Sequence, residues 1–172
     1  MDTANVVAEA LLPNEPEHTA CAALFALLRT HQTTVVFSRL LEIELWEVLF
    51  NLALRERHPR RRLRDVRFDD RLRPRASRLL DDGRKSWEAL LGTLRWSCVE
   101  LHEVTDGVVP IMRRCGLQSY DAVHAATLLD AGVTDFVTRD GGFAKLPATI
   151  ATLHTTTARL RNTRDRRRRA GH

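Results

Sequence analysis

Asp2, Glu44, Asp121 and Asp140 are the acidic side chains whose types and spacing allow chemistry, out of twenty-two acids in the chain. Taken singly, each has a plainer explanation. Asp121 sits where a helix begins and would complement the helix dipole. Asp140 precedes Gly141-Gly142 and suits a turn. Glu44 would pair with a buried arginine, and Asp2 would be a disordered terminal residue. Brought to one edge, however, four carboxylates repel and raise one another's pKa unless a cation joins them. Hard oxygen ligands suit Mg²⁺ or Mn²⁺ better than zinc. Such an ion orients water and stabilises the charge that develops when a phosphodiester is displaced. No Ser/His/Asp set and no nucleophile elbow competes with this chemistry.

The elements that must position these acids alternate between apolar β-branched runs and helical patterns. Asp2 reads as the end of a first strand that runs into a helix over Ala4–Ala8. A loop at Pro13–Pro16 leads to a helix over Glu17–Arg29. Thr33–Phe37 (TTVVF) reads as a buried strand, and Ser38 as the cap of a long helix ending near Arg57, stopped by His58-Pro59. Arg75–Leu94 is predicted helical, Ser97–Val104 (SCVELHEV) a strand, and 106–115 and 119–131 helices. Thr134–Thr138 (TDFVT) and Ile150–Thr155 complete the strands. Strands separated by helices imply a mainly parallel central sheet between helical layers, an α/β class fold. In such sheets sites form at the carboxyl ends of strands. Asp2 and Asp140 follow strands there, Asp121 opens a helix that starts there, and Glu44 lies about 9 Å down the helix after Ser38. Its helical neighbours Leu40, Leu41 and Val48 turn it inward, whereas Glu42 and Glu47 read as solvent-facing.

Asp2-Thr3, Ser38…Glu44-Leu45, Ser119-Tyr120-Asp121-Ala122-Val123-His124-Ala125-Ala126 and Val137-Thr138-Arg139-Asp140-Gly141-Gly142-Phe143 together resemble the PIN-domain ribonucleases. The likeness is greatest to the toxin half of VapBC-type toxin–antitoxin pairs, and it spans about residues 1–155. The specific part is the DA-x-H-A-A segment followed by T-x-D-x-x-F, with the two aspartates nineteen positions apart. The resemblance implies a PIN-like three-layer α/β/α sandwich and cleavage of RNA by water activated at Mg²⁺ or Mn²⁺. It further implies a cognate antitoxin that blocks the acidic site, and a homodimer. By motif position Asp2, Glu44, Asp121 and Asp140 take the metal and catalytic roles, with Thr3 and Thr138 orienting an acid or water through their hydroxyls. The chain departs from the family in having only Met1 ahead of the first aspartate, where several apolar strand residues are usual. It also has Ala4 where a small polar residue follows Asp-Thr.

Charge is unevenly distributed around this acidic body. Residues 55–75 carry ten Arg against four acids, and residues 159–172 seven Arg against one, in a chain of net charge +5. Residues 1–157 are expected to form one PIN-like nuclease domain, and 158–172 a disordered basic tail. Arg139, beside Asp140, and Arg166, Arg167, Arg168 and Arg169 in the tail are the candidates for contacting RNA phosphates. The competing reading is a catalytically impaired PIN-like protein that binds RNA or a partner through its arginines. His124 reads as a capped, partly buried helix residue, and Trp46, Trp87 and Trp96 as core or interface aromatics. A dehalogenase-like phosphatase would need a second Asp at position 4. Three scattered cysteines without a CxxC pair suit a reducing cytoplasm, and no apolar run is long enough to span a bilayer.

Overall fold

In a computed structural model the structure describes residues 2–59, 70–138 and 140–154, with the backbone alone for Asp2 to Asn5, Arg57 and Leu72. Two helices, α1 (Asp2–Leu11) and α2 (His18–Thr30), precede strand β1 (Thr34–Ser38). β1 leads directly into α3 (Arg39–Arg57), and α4 (Arg73–Leu91) packs along it. Then follow β2 (Arg95–Val99), α5 (Leu101–Cys115), α6 (Ser119–Asp130), β3 (Asp135–Val137), a 3₁₀ turn (Gly141–Lys145) and β4 (Thr152–His154). The fold is mixed α/β, mostly helical, with short parallel strands. No helix among the described residues is long and apolar enough to cross a membrane.

The β-branched run at 34–38 forms the strand its composition dictates, and pairs parallel with β2 from Thr34 opposite Arg95 to Ser38 opposite Val99. β3 pairs parallel with β4, Asp135 opposite Thr152. Among the described residues these are two separate two-stranded sheets rather than one central sheet. A second correction concerns the first strand: the backbone at Asp2 already belongs to helix α1. A third concerns SCVELHEV. Its strand ends at Val99, and Leu101 to Val104 are the first turn of α5. The reason is local: the Glu103 carboxylate accepts the N–H of Glu100 at 2.7 Å, satisfying a donor at the helix start. At the other end Gly116, at φ +65°, closes α5 in the left-handed conformation that glycine adopts without strain.

Burial divides into two main cores. The first gathers Val6, Phe25, Phe37, Leu45, Leu49 and Trp87 from α1 to α4. The second gathers Ile111, Ala122, Ala125, Phe136, Phe143 and Ile150 from α5 onward. A third, small cluster of Val99, Val104 and Ala126 has Val36 and Val108 packed against it, and Val108 also packs against the second core. A largely apolar cavity of about 190 Å³ is lined from both sides, by Val6, Phe25 and Val35 of the first half and Leu128 and Phe136 of the second. Trp87 is buried and donates its Nε1–H to Glu42 at 3.0 Å, so Glu42 is held against the core rather than free in solvent. Trp96 is instead 47% exposed.

Packing between α3 and α4 is tight enough to reverse a helix preference. A Cβ placed on Gly83 would collide with Cδ1 of the fully buried Leu49. Alanine gains about 1 kcal/mol over glycine in a helix interior, but overpacking a closed core costs about 1–3 kcal/mol. Gly83→Ala is therefore expected to lower Tm by about 2–4 °C. A rise in the thermal melt would show that Leu49 swings aside at no cost.

Candidate active site

The carboxyl end of β3 and the start of α6 bring two aspartates together. Thr138 follows β3, is 1% exposed, and its N–H donates to the carbonyl of His154 at 2.9 Å. Its Oγ1 accepts the N–H of Asp140 at 3.1 Å, which fixes the loop beyond the strand. Asp140 then stands at the N-cap of the 3₁₀ turn, its Oδ1 accepting the N–H of Gly142 at 2.6 Å. Phe143 anchors that turn, fully buried with its ring edge-on to Phe136 at 4.8 Å. A Cβ on Gly142 would stand 3.0 Å from Asp140 Oδ1 and 3.5 Å from Asp121 Oδ2, so both carboxylates converge on this glycine. Thr138 thus touches Asp140 through its backbone N–H and makes no contact with the carboxylate in this bond.

Glu44 approaches from α3 across the same cleft. The cleft is about 440 Å³ and is lined by Glu44, Glu47, Asp121 and Asp140 together with Asn51, Gln118, Ser119 and Tyr120. Glu44 is 5% exposed, and its partner is a histidine rather than an arginine: Oε2 lies 2.9 Å from Nε2 of His124, itself buried. His124 stands one turn beyond Asp121 in α6. Its ring also lies 6.5 Å from that of Phe143. Sequence reading placed His124 as a partly buried helix residue and missed its bond to Glu44. Glu47, read as solvent-facing, is exposed and lines the cleft.

The electrostatics follow from this placement. Burial, and then the negative charges of Asp140 and Glu44, push the Asp121 carboxyl above its ordinary value of 3.8, with His124 offsetting part of the rise. Burial also pushes Glu44 up, but the hydrogen bond and charge of His124 outweigh it and hold the carboxyl below 4.5. A carboxyl depressed by folding stabilises the fold fully above its unfolded value, and the benefit drains away as pH falls through the folded value. Thermal melts taken between about pH 7 and pH 3 should therefore show a smaller loss of Tm for Glu44→Gln than for the parent. An equal loss would place the acid sensitivity elsewhere.

The structure thus brings Glu44, Asp121 and Asp140 to one cleft. It describes only the backbone of Asp2 and Thr3, at the start of α1, a helix that packs on α3. Arg139 and Arg166 to Arg169 lie outside the described residues, as does the segment 60–69 and the expected tail. Among the described residues no group of three or more His, Cys, Asp or Glu is gathered tightly enough to hold a metal ion. The donors nonetheless suit a hard cation. Mg²⁺ keeps several waters and is held through one or two carboxylates, and Asp121 and Asp140 converge as such a pair at Gly142, where a side chain would crowd them. Cys21, Cys98 and Cys115 are not joined in disulfides. Compared with protein-family models and with curated proteins, the chain matches none.

Proposed function

We propose that the chain is a metal-dependent endoribonuclease of PIN type, the cytoplasmic toxin component of a type II toxin–antitoxin pair, using Mg²⁺ or Mn²⁺. The observation that carries the reading is the convergence of the Asp121 and Asp140 carboxylates on Gly142, in the cleft that Glu44 also lines. Asp121 and Asp140 would hold the ion, with Glu44 and Asp2 completing the acidic set. When bound, the ion supplies Lewis-acid stabilisation of the negative charge that grows on the phosphate. The residues do the rest. Thr138 sets the angle at which Asp140 enters the cleft, and His124 holds Oε2 of Glu44 at the cleft wall. In the reaction water oxygen joins phosphorus, the bond from phosphorus to the leaving sugar oxygen breaks, and that oxygen takes up a proton. A cognate antitoxin and a homodimeric state belong to the same proposal.

A second reading has its own observation. Glu44 is committed to His124, and no three-ligand group forms among the described residues, which favours a catalytically impaired relative that binds RNA or a partner. One assay separates the two. Cleavage of RNA by the purified protein that requires Mn²⁺ and stops with a chelator supports the nuclease. Salt-sensitive RNA binding without cleavage supports the impaired relative.

A further inference from the structure

The apolar cavity between the two cores is a place distinct from the acidic cleft. Among the described residues the two share no lining residue. Thr34, Val35, Val36 and Phe37 of β1 line the cavity consecutively, and so do Asp135, Phe136 and Val137 of β3. Successive side chains of a strand point to opposite faces. A space that meets consecutive residues therefore runs along the strand edges rather than over one face. The ladder partners of these strands are β2 and β4, so the cavity lies between β1 and β3, closed by Phe25 of α2, Trp87 of α4 and Leu128 of α6. Its ends differ. Phe37 and Phe136 are buried, whereas Thr34 is exposed and the Asp135 side chain is 38% exposed. Thr34 and Asp135 open their strands, so the exposed rim is at the amino ends, and the carboxyl ends lead on to Glu44 and Asp140.

Size and lining set the class of occupant. The cavity holds about 190 Å³. An engineered apolar cavity of about 150 Å³ stays dry and binds benzene, and pockets for drug-sized ligands begin near about 300 Å³. The space between those limits suits one or two rings. Water is a poor occupant, because it needs about two to four polar partners and most of this wall is Val, Leu, Phe and Trp. The wall is also aromatic: Phe37 and Trp87 already pack edge-on at 5.3 Å, and a further ring would extend that geometry. Asp135 at the rim, with Oδ1 2.8 Å from Nε2 of His154, disfavours an anion. We infer that this cavity is a binding site for a small neutral aromatic molecule of one or two rings, entered between Thr34 and Asp135. Bound there, the molecule touches both cores at once. The inference is independent of the nuclease reading.

The test titrates the whole chain with indole. Calorimetry should show saturable binding with Kd about 0.1–1 mM, the range open to so small a ligand. At about ten times Kd the Tm should rise by about 3–6 °C. Benzoate, similar in size but charged, should bind at least about tenfold more weakly. Methyl NMR of the parent with indole should shift Val35, Leu128 and Val133, which line the cavity, and leave the exposed Val109 and Leu129 unmoved. Val133→Phe places a ring in the same space and should abolish indole binding while melting within a few degrees of the parent. Should that variant fail to fold, the methyl shifts of the parent decide alone. No saturable binding up to about ten times the weaker Kd expected, shifts confined to exposed methyls, benzoate bound as tightly as indole, or a folded Val133→Phe that binds like the parent each overturns the inference.

Discussion

Asp121→Asn is expected to abolish Mn²⁺-dependent RNA cleavage, and toxicity with it, while raising rather than lowering thermal stability near pH 7. The loss follows from the role proposed for this carboxylate. Removing a ligand charge from a hard cation forfeits several kcal/mol of transition-state stabilisation, a fall of at least about 100-fold. The gain follows from its surroundings. Burial and the charges of Asp140 and Glu44 hold the carboxyl above its ordinary value, so the ionised form is disfavoured by folding. A group whose folded pKa is raised contributes stability below its unfolded value and loses it as pH rises through the folded one. The neutral amide escapes that loss and keeps the shape. Cleavage by Asp121→Asn equal to that of the parent, with Mn²⁺ present, would reject the metal assignment. A lower Tm at neutral pH would show that the carboxylate contributes a bond that the amide does not replace.

His124→Ala is expected to be the most destabilising single change at the site. It removes the partner of the 2.9 Å bond from the buried Glu44 carboxylate. Breaking a buried pair by deleting one member costs about 3–5 kcal/mol, and a domain of this length loses about 2–4 °C of Tm for each kcal/mol. The expected fall is therefore about 10 °C. Replacing both partners is another matter, because apolar replacements of a buried polar pair are often neutral or stabilising. The double variant Glu44→Leu with His124→Leu should recover most of the lost Tm while remaining inactive. A single variant that melts within a degree or two of the parent, measured by circular dichroism, would mean that Glu44 finds water or another partner.

Local pattern made part of this architecture legible. The run TTVVF had the composition of a buried strand and forms one shifted to Thr34–Ser38, buried only at Phe37 and Ser38, and His58-Pro59 marked the end of α3 where the helix stops. SCVELHEV misled because a half-polar stretch satisfies both periods, and what decides between them is a backbone donor met by Glu103, three residues away. A Glu-x-x-Glu spacing was the available signal. Ser38 occupies the N-cap position of α3, as its type suggests, yet its hydroxyl makes no capping bond and lies buried. The pairing of Glu44 with His124 was beyond local reading, since eighty positions separate them and only packing of α3 against α6 brings them together. The same holds for the convergence of Asp121 and Asp140, whose spacing hinted at a shared edge but not at a shared glycine. Tyr120 was visible in the motif, but its exposure within the cleft is a property of the surface and not of the sequence around it.

The two cores give the site a consequence of their own. Glu44 belongs to the half built on α1 to α4, and Asp121, His124 and Asp140 to the half built from α5 onward, with a cavity between them. Regions with separate cores open as separate cooperative units, each with its own free energy, below that of global unfolding. Amide hydrogen exchange should accordingly resolve two protection levels, one per half. The Glu44–His124 bond is a rivet across that seam, and the acidic cleft persists only while both leaves stay shut.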